Sequence, residues 1–336
     1  MSKSFWRGRR VLVTGANGFV GSWLCQRLTD EGAMVVALIR DHIPGANFYR
    51  LGLEGRVDIV SGGVEDFALL SRTVVEYEVE SCFHLAAQAI VGVANHSPLS
   101  TFEANIRGTW NLLESLRLGK GVRAVVMASS DKAYGVHEKL PYTEDTPLQP
   151  LYPYDTSKAC ADLIARSFFH TFGLPVTVTR FANIYGGGDL NFSRIIPGTI
   201  RSVLQGDDPV IRSDGTPERD FIHVDDVVDL YLEIGRHLPA DGVSGGVFNG
   251  GHNRPVKVLD LVEKIITLSG KKGVRPDIRG KGIGHGEIDR QWLDATKAKR
   301  VLGWEPHVGL EEGLSRTIEW YREALAGDSA KSLASL

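Results

Sequence analysis

The chain has 336 residues, enough for about two domains or for one large α/β unit with an appended lobe. Hydrophobic residues make up 43% of it and charged residues 24%, which excludes a disordered or fibrous chain. The 38 Lys and Arg against 41 Asp and Glu give a net charge of −3, which argues against nucleic-acid binding and membrane-surface binding.

Targeting signals and cysteines indicate the compartment. The sequence contains no apolar stretch of about 18 residues, and its first apolar run is too short for a signal peptide. Cys25, Cys82 and Cys160 are odd in number and lack metal-ligand spacing, as expected of reduced thiols. We therefore expect a cytoplasmic protein with no membrane partner.

In chain order, residues 10 to about 180 alternate short β-branched runs with helical patterns. The predicted strands are Arg10–Thr14, Met34–Ile39, Val57–Ser61, Ser81–Leu85, Ala124–Ala128 and Val176–Arg180. This alternation predicts an α/β fold with a doubly wound parallel sheet, the Rossmann architecture, over residues 1–185. Gly and Pro punctuate the rest, so residues 186–330 are predicted to form a second, smaller α/β lobe, part of which returns to the first domain.

The first predicted strand is followed by a glycine-rich loop with GxxGxxG spacing, at Gly15, Gly18 and Gly21. Such a loop allows a tight turn, lets a pyrophosphate approach the backbone and brings the following helix close to the sheet. Because a strand precedes it and an amphipathic helix follows, we predict dinucleotide binding rather than a simple tight turn. The predicted contacts are Gly15, Asn17, Gly18, Phe19, Val20 and Gly21.

The end of the second strand bears on the choice between NAD and NADP. An acidic residue there would bind the ribose of NAD, whereas an Arg accommodates the 2′-phosphate of NADP. Ile39 stands where the acid usually falls and Arg40 comes next, which favours NADP. Alternatively, Arg40 is a solvent-facing cation and Asp41 contacts the ribose of NAD.

A YxxxK pair, Tyr154 and Lys158, opens a later helix. Side chains four residues apart share one helix face, so the ammonium would lower the pKa of the phenol and make it a base. The same spacing also occurs on helices without any function. Its position about 140 residues after the dinucleotide loop favours the catalytic interpretation.

Three polar residues, Ser130, Asp131 and Lys132, follow the fifth strand, where open α/β sheets place their sites. They could supply a hydrogen-bond donor, a general acid and a general base. Taken alone, the segment is also consistent with an ordinary strand-to-loop turn in which the lysine is solvated.

Together with His84–Gln88, Asn183–Gly186 and Arg219–Phe221, these motifs resemble the extended short-chain dehydrogenases/reductases that act on nucleotide sugars. The resemblance runs from about Trp6 to Tyr321. Gln88 after His-Leu-Ala-Ala resembles the sugar 4,6-dehydratases more than the 4-epimerases. The Ser-Asp-Lys segment and the ending Ala298–Trp304 are similar to the CDP-glucose branch of that family.

The resemblance implies a lyase that eliminates water from a nucleotide hexose, with CDP-glucose as the favoured substrate. Tyr154 would take the 4-hydroxyl proton as hydride leaves C4, Lys158 would hold the cofactor ribose, and Ser130 would bind the 4-oxygen. Lys132 would then remove the C5 proton while Asp131 protonates the departing 6-hydroxyl. Hydride returns to C6, so the nicotinamide would be tightly bound and recycled.

The resemblance also implies binding residues. Further cofactor contacts would be Leu85, Ala86, Ala87, Gln88 and Asn105, and substrate contacts would be Gln88, Ser130, Asn183, Arg194, Arg219 and Arg290. Arg219 and Arg290 are alternatively surface ion-pair partners. The histidines show no metal spacing, so no metal is expected. Relatives pair through two sheet-flanking helices, here Phe102–Leu118 and Asp155–Thr171, which predicts a homodimer or homotetramer.

Lys132 leaves other functions open. Most sugar 4,6-dehydratases carry Glu at this position, and an amine with an ordinary pKa near 10.4 is a poor base at neutral pH. It could instead be a phosphate-binding or structural cation in a 4-epimerase or a decarboxylase. A non-catalytic, cofactor-binding regulator is a further alternative.

Overall fold

A computed structural model describes residues 4–238, 240–282 and 288–326. Its strands, in chain order, are β1 (Arg10–Thr14), β2 (Met34–Ile39), β3 (Asp58–Ser61), β4 (Ser81–His84), β5 (Ala124–Ala128), β6 (Val176–Phe181), β7 (Asn183–Tyr185), β8 (Val210–Ile211), β9 (Glu218–Arg219), β10 (Phe221–His223), β11 (Val247–Gly250), β12 (Val256–Lys257), β13 (Asp277–Ile278) and β14 (Arg290–Gln291).

The helices cover the sheet and build the second lobe. They are α1 (Phe19–Asp30), α2 (Asn47–Arg50), α3 (Phe67–Glu76), α4 (Val91–His96), α5 (Pro98–Phe102), α6 (Gly108–Leu118), α7 (Pro153–Phe172), α8 (Ile195–Gln205), α9 (Val224–His237), α10 (Val258–Ser269), α11 (Thr296–Leu302) and α12 (Leu310–Ala326). A π-helical turn, Glu103–Arg107, joins α5 to α6, and 3₁₀ turns occupy Leu53–Gly55 and Asp131–Tyr134.

Seven strands form one parallel sheet in the order β11-β6-β5-β4-β1-β2-β3. The predicted α/β parallel sheet is confirmed, and all six predicted strands belong to it, each within a residue of its expected ends. Apart from the largely exposed edge strand β3, they form short, mainly apolar runs because both faces of the sheet are covered by helices. The reversal of strand order between β1 and β4 opens the crevice in which such sheets bind ligands.

Two apolar layers lie on opposite sides of this sheet. One contains side chains of α1, α2, α9 and α11, and the other contains side chains of α3, α6 and α7. Helix α7 begins with Pro153 at its first turn and ends at Gly173, which adopts the left-handed conformation with φ of 68°. Pro153 thus fixes the start of the helix that carries Tyr154, and Gly173 fixes its end.

The second segment of the chain supplies parts of both lobes. Strand β11 pairs with β6, and α9 packs on α1, so residues after 185 complete the central sheet and one of its layers. A separate core of α8, α10 and α12 forms the lobe above the crevice. Residues 239, 283–287 and 327–330 of the second predicted segment lie outside the described residues.

One buried ion pair fastens the sheet to α7. Arg180 on β6 donates to both carboxylate oxygens of Asp162, at 2.8 and 3.1 Å, and the two side chains are 1% and 0% exposed. The Arg180 guanidinium also lies over the Tyr134 ring, with its Cζ 4.6 Å from the ring centroid. Since both charges are fully desolvated, either residue alone would be a costly buried charge.

Over the described ranges, no helix is both long and apolar enough to cross a membrane.

Candidate active site

A cavity of about 540 Å³ opens at the carboxyl ends of the central strands. Its walls combine the loop after β1, the ends of β2, β4 and β5, the first turn of α7, residues 181–185, and residues 194–197 of the second segment. The cavity therefore joins the glycine loop to the polar segment after β5 within one continuous space. This is where an open parallel sheet is expected to bind its ligand.

The glycine loop meets its predicted geometry. Gly15 has φ of +69°, and a Cβ there would lie 2.8 Å from the backbone nitrogen of Ala86. A Cβ on Gly21 would lie 2.1 Å from the carbonyl oxygen of Gly15. Glycine is thus required for the turn and for the close approach of α1 to the sheet. The cavity wall includes Gly15, Asn17, Gly18, Phe19, Val20 and Gly21 from this loop, and Leu85, Ala86 and Ala87 from the end of β4.

Arg40 and Asp41 both lie on the cavity wall at the end of β2. The Arg40 Nε is 2.7 Å from the Asp41 carboxylate, and each side chain is 61% exposed. Asn17 of the glycine loop donates to the backbone oxygen of Asp41 at 2.8 Å. Gly63 and Glu65 complete this end of the cavity. Both residues that bear on the choice between NAD and NADP are therefore placed at the same rim.

Tyr154 lines the cavity from the first turn of α7 and is 9% exposed. Burial raises the pKa of its phenol to about 12, against the opposing effects of the Arg194 charge and the Ser130 hydroxyl. The expected lowering of this pKa is wrong for this structure, because desolvation outweighs the neighbouring donors.

Lys158 makes a different contact from the one its spacing suggested. Its ammonium donates to the backbone oxygen of Ala128 at 3.0 Å, and burial lowers its pKa to about 8. Its own carbonyl accepts from Ser129 at 3.3 Å. The residue thus lies beneath the end of β5, next to the cavity wall formed by Ala128 and Ser129.

Ser130 caps the 3₁₀ turn Asp131–Tyr134, and Ser130, Asp131 and Lys132 line the cavity. The Ser130 hydroxyl accepts from the Lys132 backbone nitrogen at 3.2 Å and donates to the Asp131 carboxylate at 3.1 Å. Asp131 is 4% exposed, and burial raises its pKa although Lys132, Ser130 and Arg219 oppose that shift. A carboxyl with a raised pKa retains its proton to higher pH, as a general acid requires.

Gln88 and Asn105 are hydrogen-bonded to each other. Asn105, which lies in the π-helical turn, accepts from the Gln88 backbone nitrogen at 2.7 Å and donates to its carbonyl at 3.1 Å. It also donates to the Ser157 hydroxyl at 2.8 Å. Asn105 is 2% exposed, so it ties the loop after β4 to α7 from behind the cavity wall. Neither residue is part of the described cavity wall.

The predicted substrate residues divide into two groups. Asn183 and Arg194 line the cavity, and Arg194 is fixed by the Asp189 carboxylate at 3.0 Å. Arg219 donates to the backbone oxygens of Glu218 and Asp289, and its charge reaches Asp131. Arg290 pairs with the Glu218 carboxylate at 2.7 Å and is 57% exposed, so its substrate contact stays a prediction.

Two residues that shape the site, Asp189 and Asp155, were assigned no role from the sequence. Asp189, which holds Arg194, follows a run of glycines and gives no periodic signal. Asp155 directly follows the predicted base, and burial raises its pKa to about 6 although the Lys132 charge opposes that shift. Only its position beside Tyr154 could have drawn attention to it.

Among the described residues, no group of three His, Cys, Asp or Glu is placed to hold a metal ion.

Residues 12–317 match the family described as GDP-mannose 4,6 dehydratase. The chain belongs to this family, which confirms the resemblance to the NAD(P)-dependent enzymes that act on nucleotide sugars.

Individual relatives include both dehydratases and epimerases. CDP-glucose 4,6-dehydratase of Salmonella typhimurium is 33% identical, over 98% of this chain and 94% of its own length. UDP-glucose 4-epimerase of Mycolicibacterium smegmatis is 33% identical, over 93% of this chain and 98% of its own. Among solved structures, a dTDP-glucose 4,6-dehydratase of Streptomyces venezuelae with NAD bound has a TM-score of 0.84 and 30% identity, covering 94% of this chain and 98% of that one.

Proposed function

We propose that this protein is a nucleotide-sugar 4,6-dehydratase and that CDP-glucose is its substrate. One observation carries the proposal: a buried carboxyl, Asp131, shares the cavity with Lys132 and with Tyr154. Dehydration needs an acid for the leaving 6-hydroxyl and a base for the C5 proton, whereas 4-epimerisation needs neither. The CDP-glucose 4,6-dehydratase of Salmonella typhimurium, similar over nearly the whole chain, supports the choice of sugar nucleotide.

The cofactor that we propose is NAD, although Arg40 by itself favours NADP. The glycine loop provides the backbone approach that a dinucleotide pyrophosphate needs, and the N-terminus of α1 faces the same cavity. Arg40 is paired with Asp41, and a 2′-phosphate at this rim would meet that carboxylate and the one of Glu65. The Streptomyces venezuelae relative binds NAD. When bound, the nicotinamide supplies a hydride acceptor for C4 and a hydride donor for C6.

The residues around the cavity divide the proton transfers. Tyr154 takes the proton of the sugar 4-hydroxyl, and Ser130 holds the same oxygen. The positive charge of Arg194 favours the ionised form of the Tyr154 phenol. It therefore counteracts burial, which raises the pKa of that phenol. Lys158, buried under Ala128, holds the cofactor ribose against this wall.

Elimination then uses the turn after β5. Loss of the C5 proton to Lys132 forms a carbon–carbon double bond between C5 and C6 as the C6–oxygen bond breaks. Asp131 gives its proton to the leaving oxygen, which departs as water. A proton on C5 and a hydride on C6 complete the 4-keto-6-deoxy product. Residues 1–185 thus supply the reacting groups and Asn183, and the part of 186–330 that lies above the crevice adds Arg194 to hold the nucleotide.

The experiment is incubation of the purified protein with CDP-, dTDP-, UDP- and GDP-hexoses, each with NAD and with NADP. Formation of the 4-keto product is followed by its alkaline absorbance and by NMR. We expect product from CDP-glucose with NAD. Conversion of a sugar only to its 4-epimer would make the protein an epimerase. If no sugar is changed, neither the dehydratase nor the epimerase assignment stands.

We also propose a homodimer or homotetramer that pairs through α6 and α7. Exposed apolar side chains on these helices include Trp110, Leu118, Leu163 and Phe172, which are 44 to 54% exposed. Sedimentation of the wild type and of a Trp110→Glu/Leu163→Glu variant tests the interface, because two buried charges should separate the subunits. An unchanged sedimentation coefficient in the variant would refute it. A cytoplasmic location stays a prediction.

A further inference from the structure

A short segment rich in glycine, Gly186–Asp189, joins the end of β7 to the substrate end of the cavity; we call it the strap. It leads to Arg194, which lines the cavity and which we propose to hold the nucleotide. Trp23 on α1 donates its indole N–H to the Gly187 carbonyl at 2.8 Å. This hydrogen bond spans 164 positions of the chain, so it connects the two predicted segments of the molecule.

The strap fits closely between helices. A Cβ on Gly187 would lie 2.3 Å from the Trp320 ring of α12. A Cβ on Gly188 would lie 2.8 Å from the Asn47 side chain of α2, and Gly188 also has φ of +92°, a conformation that other residues rarely adopt. The backbone of the strap is thus confined between α2 and α12, and the hydrogen bond from Trp23 is a further contact that holds it.

The last residue of the strap, Asp189, commits its carboxylate to the segment that carries Arg194. One carboxylate oxygen accepts from the Arg194 guanidinium at 3.0 Å, and the other accepts from the Asn191 backbone nitrogen at 3.0 Å. The Asp189 carbonyl accepts from the Tyr321 hydroxyl. Asp189 is 3% exposed, so its charge is offset by Arg194 rather than by water. The position of the guanidinium therefore depends on where the strap holds Asp189.

The same face of α1 also reaches the cofactor end of the cavity. Phe19 and Trp23 are four residues apart and therefore share one face of the helix. Phe19 lines the cavity, and the tip of its ring lies 3.4 Å from the position that a Cβ on Gly186 would take. Helix α1 thus carries both a predicted cofactor contact and the donor that holds the strap.

We propose that Trp23 is a positioning residue for binding of the nucleotide sugar. Its hydrogen bond fixes the strap, and the strap orients Arg194 toward the phosphates of the nucleotide. A guanidinium binds phosphate through N–H groups in one fixed plane, so its orientation decides how well it binds. The inference rests on the proposed function, since it requires a nucleotide against Arg194. Trp23 lies outside the described cavity wall and acts on binding only through the strap.

The test removes the indole N–H and leaves the helix intact. In Trp23→Phe the carbonyl of the buried Gly187 loses its donor, so the strap must move to reach another donor or water. Calorimetric titration with CDP, dTDP, UDP and GDP identifies the nucleoside diphosphate that the wild type binds most tightly. We expect its dissociation constant to rise about tenfold in Trp23→Phe. The dissociation constant for NADH, from fluorescence titration, should stay within about twofold of the wild-type value.

Two further variants separate the N–H from the size of the ring. Trp23→His has a ring N–H at about the same separation from Cβ as the indole N–H, so it should recover most of the lost affinity. Trp304→Phe is the matched control, because Trp304 is 5% exposed and its indole N–H has no hydrogen-bond partner among the described residues. It should leave both dissociation constants unchanged.

A double-mutant cycle tests whether Trp23 acts through Arg194. Arg194→Gln removes the charge that binds phosphate and should itself raise the dissociation constant for the nucleoside diphosphate. Adding Trp23→Phe to Arg194→Gln should then change this constant by less than about twofold, because the group that the strap orients is already gone. A general loosening of α1 would instead have its full effect in either background.

Steady-state kinetics should show the same separation during turnover. In Trp23→Phe we expect a higher KM for the nucleotide sugar and a nearly unchanged kcat, because the reacting groups are not displaced. Three results would each overturn the inference and leave the dehydratase assignment standing: wild-type nucleotide affinity in Trp23→Phe, an equal loss of NADH affinity, or an undiminished effect of Trp23→Phe in the Arg194→Gln background.

Failure of the proposed function would look different. A wild type that binds a nucleoside diphosphate but forms no 4-keto product would overturn the dehydratase assignment, while the titrations would still decide the role of Trp23. If the wild type binds none of the four nucleoside diphosphates, both the dehydratase assignment and the role of Trp23 are overturned.

Discussion

Gly21→Ala should weaken cofactor binding by a predictable geometric route. The new Cβ would lie 2.1 Å from the Gly15 carbonyl oxygen, whereas ordinary contact begins at 3.4 Å. The atoms must therefore separate by at least 1.3 Å, the difference between these distances. Both partners are backbone or fixed to it, so α1 must move away from the glycine loop. We expect overpacking to cost about 1–3 kcal/mol of stability.

The same displacement moves the amides that we propose to hold the pyrophosphate. Loss of one hydrogen bond to the charged pyrophosphate costs about 1.5–3 kcal/mol, so the dissociation constant for NADH should rise about 10- to 100-fold. Fluorescence titration with NADH measures it, and urea unfolding measures the stability. The matched control is Gly309→Ala, since a Cβ there meets nothing within 4 Å and the backbone is unstrained. Wild-type NADH affinity in Gly21→Ala would refute this reasoning.

Three further results are expected. Lys132→Met should lower 4-keto product formation by about 100-fold or more, since no base remains for the C5 proton; an epimerase would lose little turnover. Arg180→Met should lower the unfolding free energy in urea by about 3–5 kcal/mol, because Asp162 is left buried and unpaired, and Asp162→Leu in the same chain should restore much of it. Asp155 has a pKa of about 6 in the folded chain against 3.8, so its stabilising effect is present at acid pH and is lost as pH rises through that interval. Asp155→Asn should therefore flatten the decline in stability between about pH 4 and 6; the same decline in both proteins would contradict it.

Local patterns explain why most of the sheet could be predicted. Five of its strands are short, mainly apolar runs because they are buried on both faces, whereas the edge strand β3 is largely exposed. The glycine spacing is dictated within eight residues by one turn and one helix contact. The seventh strand, β11, is only four residues long and lies among glycines, so its return to the sheet had no strong local signal.

The chemistry of the site depends on contacts that no short window contains. The pKa of Tyr154 is set by burial and by Arg194, forty residues away, rather than by Lys158 one turn along its helix. Likewise, Gln291 meets Asp131 across 160 positions of the chain. Residue types at fixed spacing identified the candidates, but their electrostatic environment arises only when the two lobes fold together.

The position of β11 has a consequence for how the chain is made. Strand β6 is complete at Phe181, yet the strand that covers its open edge ends at Gly250. At about 5–20 residues per second, a ribosome needs several seconds to add the intervening segment. During that interval the nascent protein presents an apolar, unpaired edge, a surface that favours misassociation with other chains. Chaperone binding to growing chains should therefore be strongest between these two points of synthesis.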